Sequence, residues 1–77
     1  MRDNFTVFPN PASQSIQIFS NKLIGFKTYQ IIDIYGKIVK QGKLESEAID
    51  ISSIRNGVYF LNMIADRNIV SKKIVIE

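Results

Sequence analysis

Asn56-Gly57-Val58-Tyr59-Phe60-Leu61-Asn62-Met63-Ile64 couples the strongest turn dipeptide in the chain to a nearly unbroken apolar run. Such a run reads as a strand in the middle of a sheet. Outward from it toward the C-terminus, Asp66-Arg67-Asn68 turns the chain and Ile69 to Ile76 forms the last strand. In the other direction, Ser52-Ser53-Ile54-Arg55 reads as one helical turn capped by a serine. Glu47 to Ile51 is a short strand before it. Tyr35-Gly36 is a hairpin tip between the strands Thr28–Ile34 and Lys37–Gln41, because glycine accepts the positive φ of a tight turn. Gly42 marks a bulge or a strand end. Ser15 to Phe19 alternates cleanly, with Ile16 and Ile18 on one face, until Ser20-Asn21-Lys22 breaks the pattern. Phe5 to Phe8 is the first strand, stopped at Pro9-Asn10-Pro11, where two prolines remove two ladder donors. No segment carries an apolar stripe at helical spacing. Short strands separated by turn residues every ten positions or so are the pattern of small all-β sandwiches and barrels.

Seventy-seven residues, 45% of them hydrophobic, make one domain with one core. At that size roughly 60–65% of the unfolded chain's surface becomes buried. Residues 1–4 read as the end of a linker or the start of an expressed fragment, and residues 5–77 as the domain. There is no Cys, so packing and backbone pairing supply the stability, without disulfides or thiolate-bound metal. Ten Lys and Arg against seven Asp and Glu leave a net charge of +3. Lys22, Lys27, Lys37, Lys40, Lys43, Lys72 and Lys73 are dispersed, which suits solvated strand faces and protected edges better than a nucleic-acid patch. No apolar run reaches the length of a membrane span, so direct membrane insertion is not expected. No signal-like apolar region follows Met1, so export is expected to depend on a signal carried by a parent protein.

Catalysis has few candidates. The chain has no His, the commonest general base and metal ligand, and no Cys nucleophile. Asp3, Asp33, Glu45, Glu47, Asp50, Asp66 and Glu77 fall mostly in turns or at ends. Glu45 and Glu47 share a face by strand parity, which reads as a solvated edge rather than a catalytic pair. The glycines stand singly, so no phosphate-cradling loop exists. The expectation is a domain that is not an enzyme and needs no cofactor or metal.

Three segments carry a family likeness. Phe5-Thr6-Val7-Phe8-Pro9-Asn10-Pro11-Ala12, followed by Ile16-Gln17-Ile18, is similar to the aromatic-Pro-Asn-Pro-Ala opening of sorting domains appended to secreted proteins of Bacteroidetes-type bacteria. Ile32-Asp33-Ile34-Tyr35-Gly36-Lys37-Ile38-Val39 looks like their Asp/Asn-x-x-Gly-basic-x-Val hairpin. Ile49-Asp50-Ile51-Ser52-Ser53-Ile54, leading into Asn56-Gly57-Val58-Tyr59, resembles their Leu-rich segment and Gly-x-Tyr, with Ile54-Arg55-Asn56 in place of the more usual Leu-Pro-x. Lys72-Lys73-Ile74-Val75-Ile76 resembles the basic, then aliphatic, strand on which these proteins end. The order and spacing of the segments are more specific than any one of them.

The chain thus resembles the type IX secretion C-terminal sorting family, type A. That resemblance implies a seven-stranded immunoglobulin-like β-sandwich without significant helix. It implies a secretion address on a larger cargo protein, carried across the periplasm and then through the outer membrane to the cell surface or medium. The partners implied are the translocon, an outer-membrane shuttle barrel and a sortase that commonly removes the domain. The family motif falls on Pro9, Asn10, Pro11, Asp33, Gly36, Lys37, Gly57 and Tyr59. The expected recognition element is the tail, Lys72, Lys73, Ile74, Val75, Ile76 and Glu77. Strand alternation puts Ile74 and Ile76 on one face and Lys73 and Val75 on the other. Tyr59 is expected to pack inward with its hydroxyl bonded to backbone, and Tyr35 to be exposed at the hairpin tip. The competing reading is a carbohydrate-binding or adhesive module of a secreted protein. The first of these usually displays exposed aromatics, often Trp, and this chain has no Trp.

Overall fold

The computed structural model describes residues 5–9, 13–20, 26–44 and 48–77. In chain order the strands are β1 (Phe5–Phe8), β2 (Ser15–Ser20), β3 (Phe26–Asp33), β4 (Ile38–Lys43), β5 (Ala48–Asp50), β6 (Gly57–Ala65) and β7 (Ile69–Ile76). They form two antiparallel sheets, one ordered β1-β2-β5 and the other β4-β3-β6-β7. The apolar run of β6 therefore lies inside its sheet, between β3 and β7. Both edges of β6 are thereby paired, so its backbone donors and acceptors are met within the sheet.

One buried cluster joins the sheets. The first contributes Val7, Ile16, Ile18 and Ile49, with Ile51 just past β5; the second contributes Tyr29, Ile31, Tyr59, Leu61, Met63, Ile74 and Ile76. Alternation selects them: Tyr59, Leu61 and Met63 point inward, while Val58, Phe60 and Asn62 between them lie on the outer face. β-Branched isoleucines fit such a pleated, half-buried surface because their stiff χ1 loses little freedom there.

Two expectations are corrected. No helix occurs among the described residues, and Ser52-Ser53-Ile54 is a turn rather than a capped helical turn. The Ile54 amide donates to the Ile51 carbonyl at 3.0 Å. The Asp50 carboxylate, not a serine, takes the Ser52 amide at 2.9 Å. An Asx turn of this kind satisfies the local donors before a helix starts. Of the two readings of Gly42, the bulge is likewise not met, since Gly42 stays in the ladder opposite Tyr29, while the strand end falls one residue on, at Lys43. Ile31 pairs with Lys40 and Ile32 with Ile38, so Val39 is the extra residue. The Tyr29 ring lies beside Gly42, where an added Cβ would make ordinary contact with the phenol oxygen at 3.5 Å.

A lysine spans the sheets at their edges. Lys40 is the cross-strand partner of the buried Ile31, and its Nζ donates to the Asp50 carbonyl at 2.6 Å. The half-buried side chain thus brings its ammonium to a β5 carbonyl.

Candidate functional site

The four-stranded sheet ends in a cleft of about 390 Å³ lined by Asp33, Lys37, Val39, Ser53, Ile54, Arg55 and Tyr59. Asp33, the last residue of β3, builds one wall. Its Oδ1 accepts the amides of Tyr35 and Lys37, both at 2.9 Å. Its own amide donates to the Lys37 carbonyl at 2.9 Å, and its carbonyl accepts from Gly36 at 3.0 Å. Gly36 stands at φ +87°, a conformation that a side chain would strain. A short carboxylate that bonds amides two and four residues ahead holds the tip as a backbone turn would.

Tyr59 is the cross-strand partner of Asp33 and builds the facing wall. Its ring is buried and its hydroxyl donates to the Arg55 carbonyl at 2.8 Å. That bond ties the turn before β6 to the sheet, because it links residues four apart across a bend. The ring lies against Gly57, where a Cβ would make ordinary contact with Tyr59 Cε2 at 3.4 Å. The expected inward tyrosine with a backbone-bonded hydroxyl is thus present, and Tyr35 is exposed at the tip.

Five of the singled-out residues, Asp33, Gly36, Lys37, Gly57 and Tyr59, gather at this one end of the sheet. Pro9 is exposed after β1, far along the chain from them, and Asn10 and Pro11 lie outside the described residues. Sequence reasoning missed the contributions of Val39, Ser53 and Arg55. Nothing in a lone sequence marks a bulge at Val39, and Arg55 acts through a carbonyl that every residue has.

The tail is divided. Ile74 and Ile76 are sealed in the core, Val75 is half-buried, and Lys72, Lys73 and Glu77 are exposed. β7 is an edge of the sheet and pairs in register with β6 from Ile69 to Ile76. Lys73 lies opposite Phe60 on the outer face, and Lys72 opposite Leu61 on the inner.

Three of the described carboxylates have partners in the fold. Asp33 shapes the tip, Asp50 shapes the turn after β5, and Asp66 meets Lys27 at 3.2 Å on the surface. Hydrogen bonds from the Ser52 amide and hydroxyl, and then the charge of Lys40, hold the Asp50 carboxyl below the usual range. Burial, helped by the charge of Asp50, pushes the Tyr29 phenol up. Glu45 and Glu47 lie outside the described residues.

The model of a protein family described as a secretion system C-terminal sorting domain matches residues 6–77. No curated protein matches the chain.

Proposed function

This chain belongs to the secretion system C-terminal sorting domain family, and on that premise we propose how its two ends of structure, hairpin and tail, serve export. It is a C-terminal sorting signal for type IX secretion, the tail of a cargo protein that leaves the cell by that route. Members of such a family direct transport rather than catalyse. The observation that carries the reading is the family match over nearly the whole chain. The gathering of Asp33, Gly36, Lys37, Gly57 and Tyr59 at one sheet end supports it, because a shared motif then maintains one local structure.

In the proposed sequence of events the cargo crosses the periplasm, the translocon and an outer-membrane shuttle barrel receive this domain, and a sortase removes it at the cell surface. The fold that presents it is an immunoglobulin-like β-sandwich of seven strands. Two features support that assignment: the division β1-β2-β5 against β4-β3-β6-β7, and a tyrosine near the start of β6 bonded back to the preceding turn. In the tail, Ile74 and Ile76 anchor the strand while Lys72, Lys73 and Glu77 are offered to solvent. Recognition of that kind is protein to protein and requires no cofactor.

The test is export of a reporter that carries an ordinary signal peptide and ends in residues 1–77, in a Bacteroidetes host with and without its type IX translocon. Reporter at the surface or in the medium, only when the translocon is present, is the expected result. Retention in the periplasm of the competent strain refutes the sorting reading for this domain.

A further inference from the structure

We infer that the β3–β4 hairpin tip, Ile34 and Tyr35 with the apolar patch behind them, is the anchor by which this domain docks into a concave, apolar pocket with an acidic lip on a partner protein. The inference rests on the sorting reading and says which surface the machinery holds.

Exposure singles out the tip. Tyr35 is 88% exposed and Ile34 63% exposed, far beyond what a folded chain needs to leave in water at adjacent positions. They are not on a loose loop. The Asp33 carboxylate and backbone fix the turn through four bonds of 2.9–3.0 Å around Tyr35, Gly36 and Lys37. A backbone held in this way has no turn left to order on docking, which lowers the entropy cost of using the residues it carries as anchors.

The surface behind the tip continues it. On the outer face, Ile38, Ile32 and Phe60 stand in one row across β4, β3 and β6, and Val58 and Val75 are paired across β6 and β7 one step nearer the tip. Ile38 and Val58 are exposed. The patch then stops at a transverse row of Gln41, Gln30, Asn62 and Ser71, bonded in pairs through Gln30 to Gln41 and Ser71 to Asn62. A bounded apolar area beside projecting side chains fits an interface core with a polar rim.

Charge selects the partner. Lys37 from the hairpin tip, Lys73 from β7 and Arg55 from the turn before β6 are exposed at this end. Against them stand Glu77 past the end of β7 and the half-buried Asp33 carboxylate, an anion that accepts from the two tip amides, so exposed cations still outnumber exposed carboxylates. An acidic lip complements that balance, whereas a second copy of the same basic surface would be repelled.

The experiment compares the 1–77 reporter with variants in the translocon-competent strain, after urea unfolding of each purified domain has shown a native midpoint. The double variant I34S/Y35S is expected to lower exported reporter roughly tenfold, as loss of a central anchor pair does. I69S removes an equally exposed apolar side chain, 66% exposed, at the far end of the same sheet. It is expected to stay within about twofold of the parent. Lys37→Glu is expected to lower export, and Lys43→Glu at the far end to leave it unchanged. Export of a folded I34S/Y35S domain at the parent level, or an equal fall in I69S, overturns the inference and leaves the sorting reading standing. Parent-level export of Lys37→Glu overturns the acidic lip. Failure of the parent reporter itself refutes the sorting reading, and this inference with it.

Discussion

The hydroxyl of Tyr59 spans a bend that the backbone alone leaves open, from the start of β6 to the Arg55 carbonyl at 2.8 Å. Tyr59→Phe keeps the ring over Gly57 and removes only that bond. It is expected to lower stability by about 1 kcal/mol, read as a shift of the urea midpoint at constant slope. Two other residues make stability depend on pH in opposite ranges. The folded Asp50 carboxyl is depressed by the Ser52 hydrogen bonds and by Lys40. Its contribution is therefore full above the ordinary aspartate range and is lost as pH falls through the folded value. The Tyr29 phenol is raised by burial and by Asp50. Its contribution is full below about pH 10, the usual tyrosine value, and is lost as pH rises beyond it. Asp50→Asn is expected to flatten the acid limb of a stability profile, and Tyr29→Phe the alkaline limb. An unchanged limb in either variant contradicts the assignment.

At the level of elements, β7 is both a core strand and the end of the domain. Ile74 and Ile76 are 0% and 1% exposed, so Ile74→Ala is expected to cost about 2–5 kcal/mol through lost burial and the cavity left behind. Substituting Lys72 and Lys73 by Ser changes exposed positions and is expected to stay within about 0.5 kcal/mol. Thermal unfolding of the two variants separates these effects. A chain shortened to Ser71 loses both isoleucines, so its failure to be exported would report unfolding. The double lysine variant is the cleaner probe of the tail, because it alters the offered groups and leaves the strand in place. β4, the opposite edge of that sheet, carries Lys37 just before it and Lys40 and Lys43 within it. Charges on an edge discourage pairing with another chain.

The molecule as a whole has one apolar cluster shared by two sheets, and its radius of gyration, 11.6 Å, matches the value of about 11.5 Å expected for a compact domain of this length. Neither sheet can keep its inner face dry without the other. Unfolding is accordingly expected in a single step, with far-UV circular dichroism and tyrosine fluorescence giving coincident transitions. Ile16→Ala in one sheet and Ile31→Ala in the other, both at fully buried positions, are expected to move the entire transition. Separate transitions for the two probes would show that the sheets melt independently.

Much of the local structure was legible in the residues. β1 and β7 have the limits that their alternation and flanking turns imply, and the apolar run at Val58–Ile64 lies within a central strand. The hairpin at Tyr35-Gly36 follows from the need for a positive φ, and the inward Tyr59 from its place beside Gly57. These features depend on neighbours a few positions apart, so a linear reading contains them. The serine-capped turn failed because Asp50 competes for the same amides. Gly42 could be read as a bulge or a strand end, but the bulge at Val39 could not be foreseen, because that slip answers to a ladder formed with β3. Which strands share a sheet, where Lys40 reaches Asp50, and how Asp33, Arg55 and Tyr59 come to border one cleft were settled only by the tertiary structure. Those relations join residues far apart in sequence, and their energy comes from burying both inner faces at once, a quantity that belongs to no single segment.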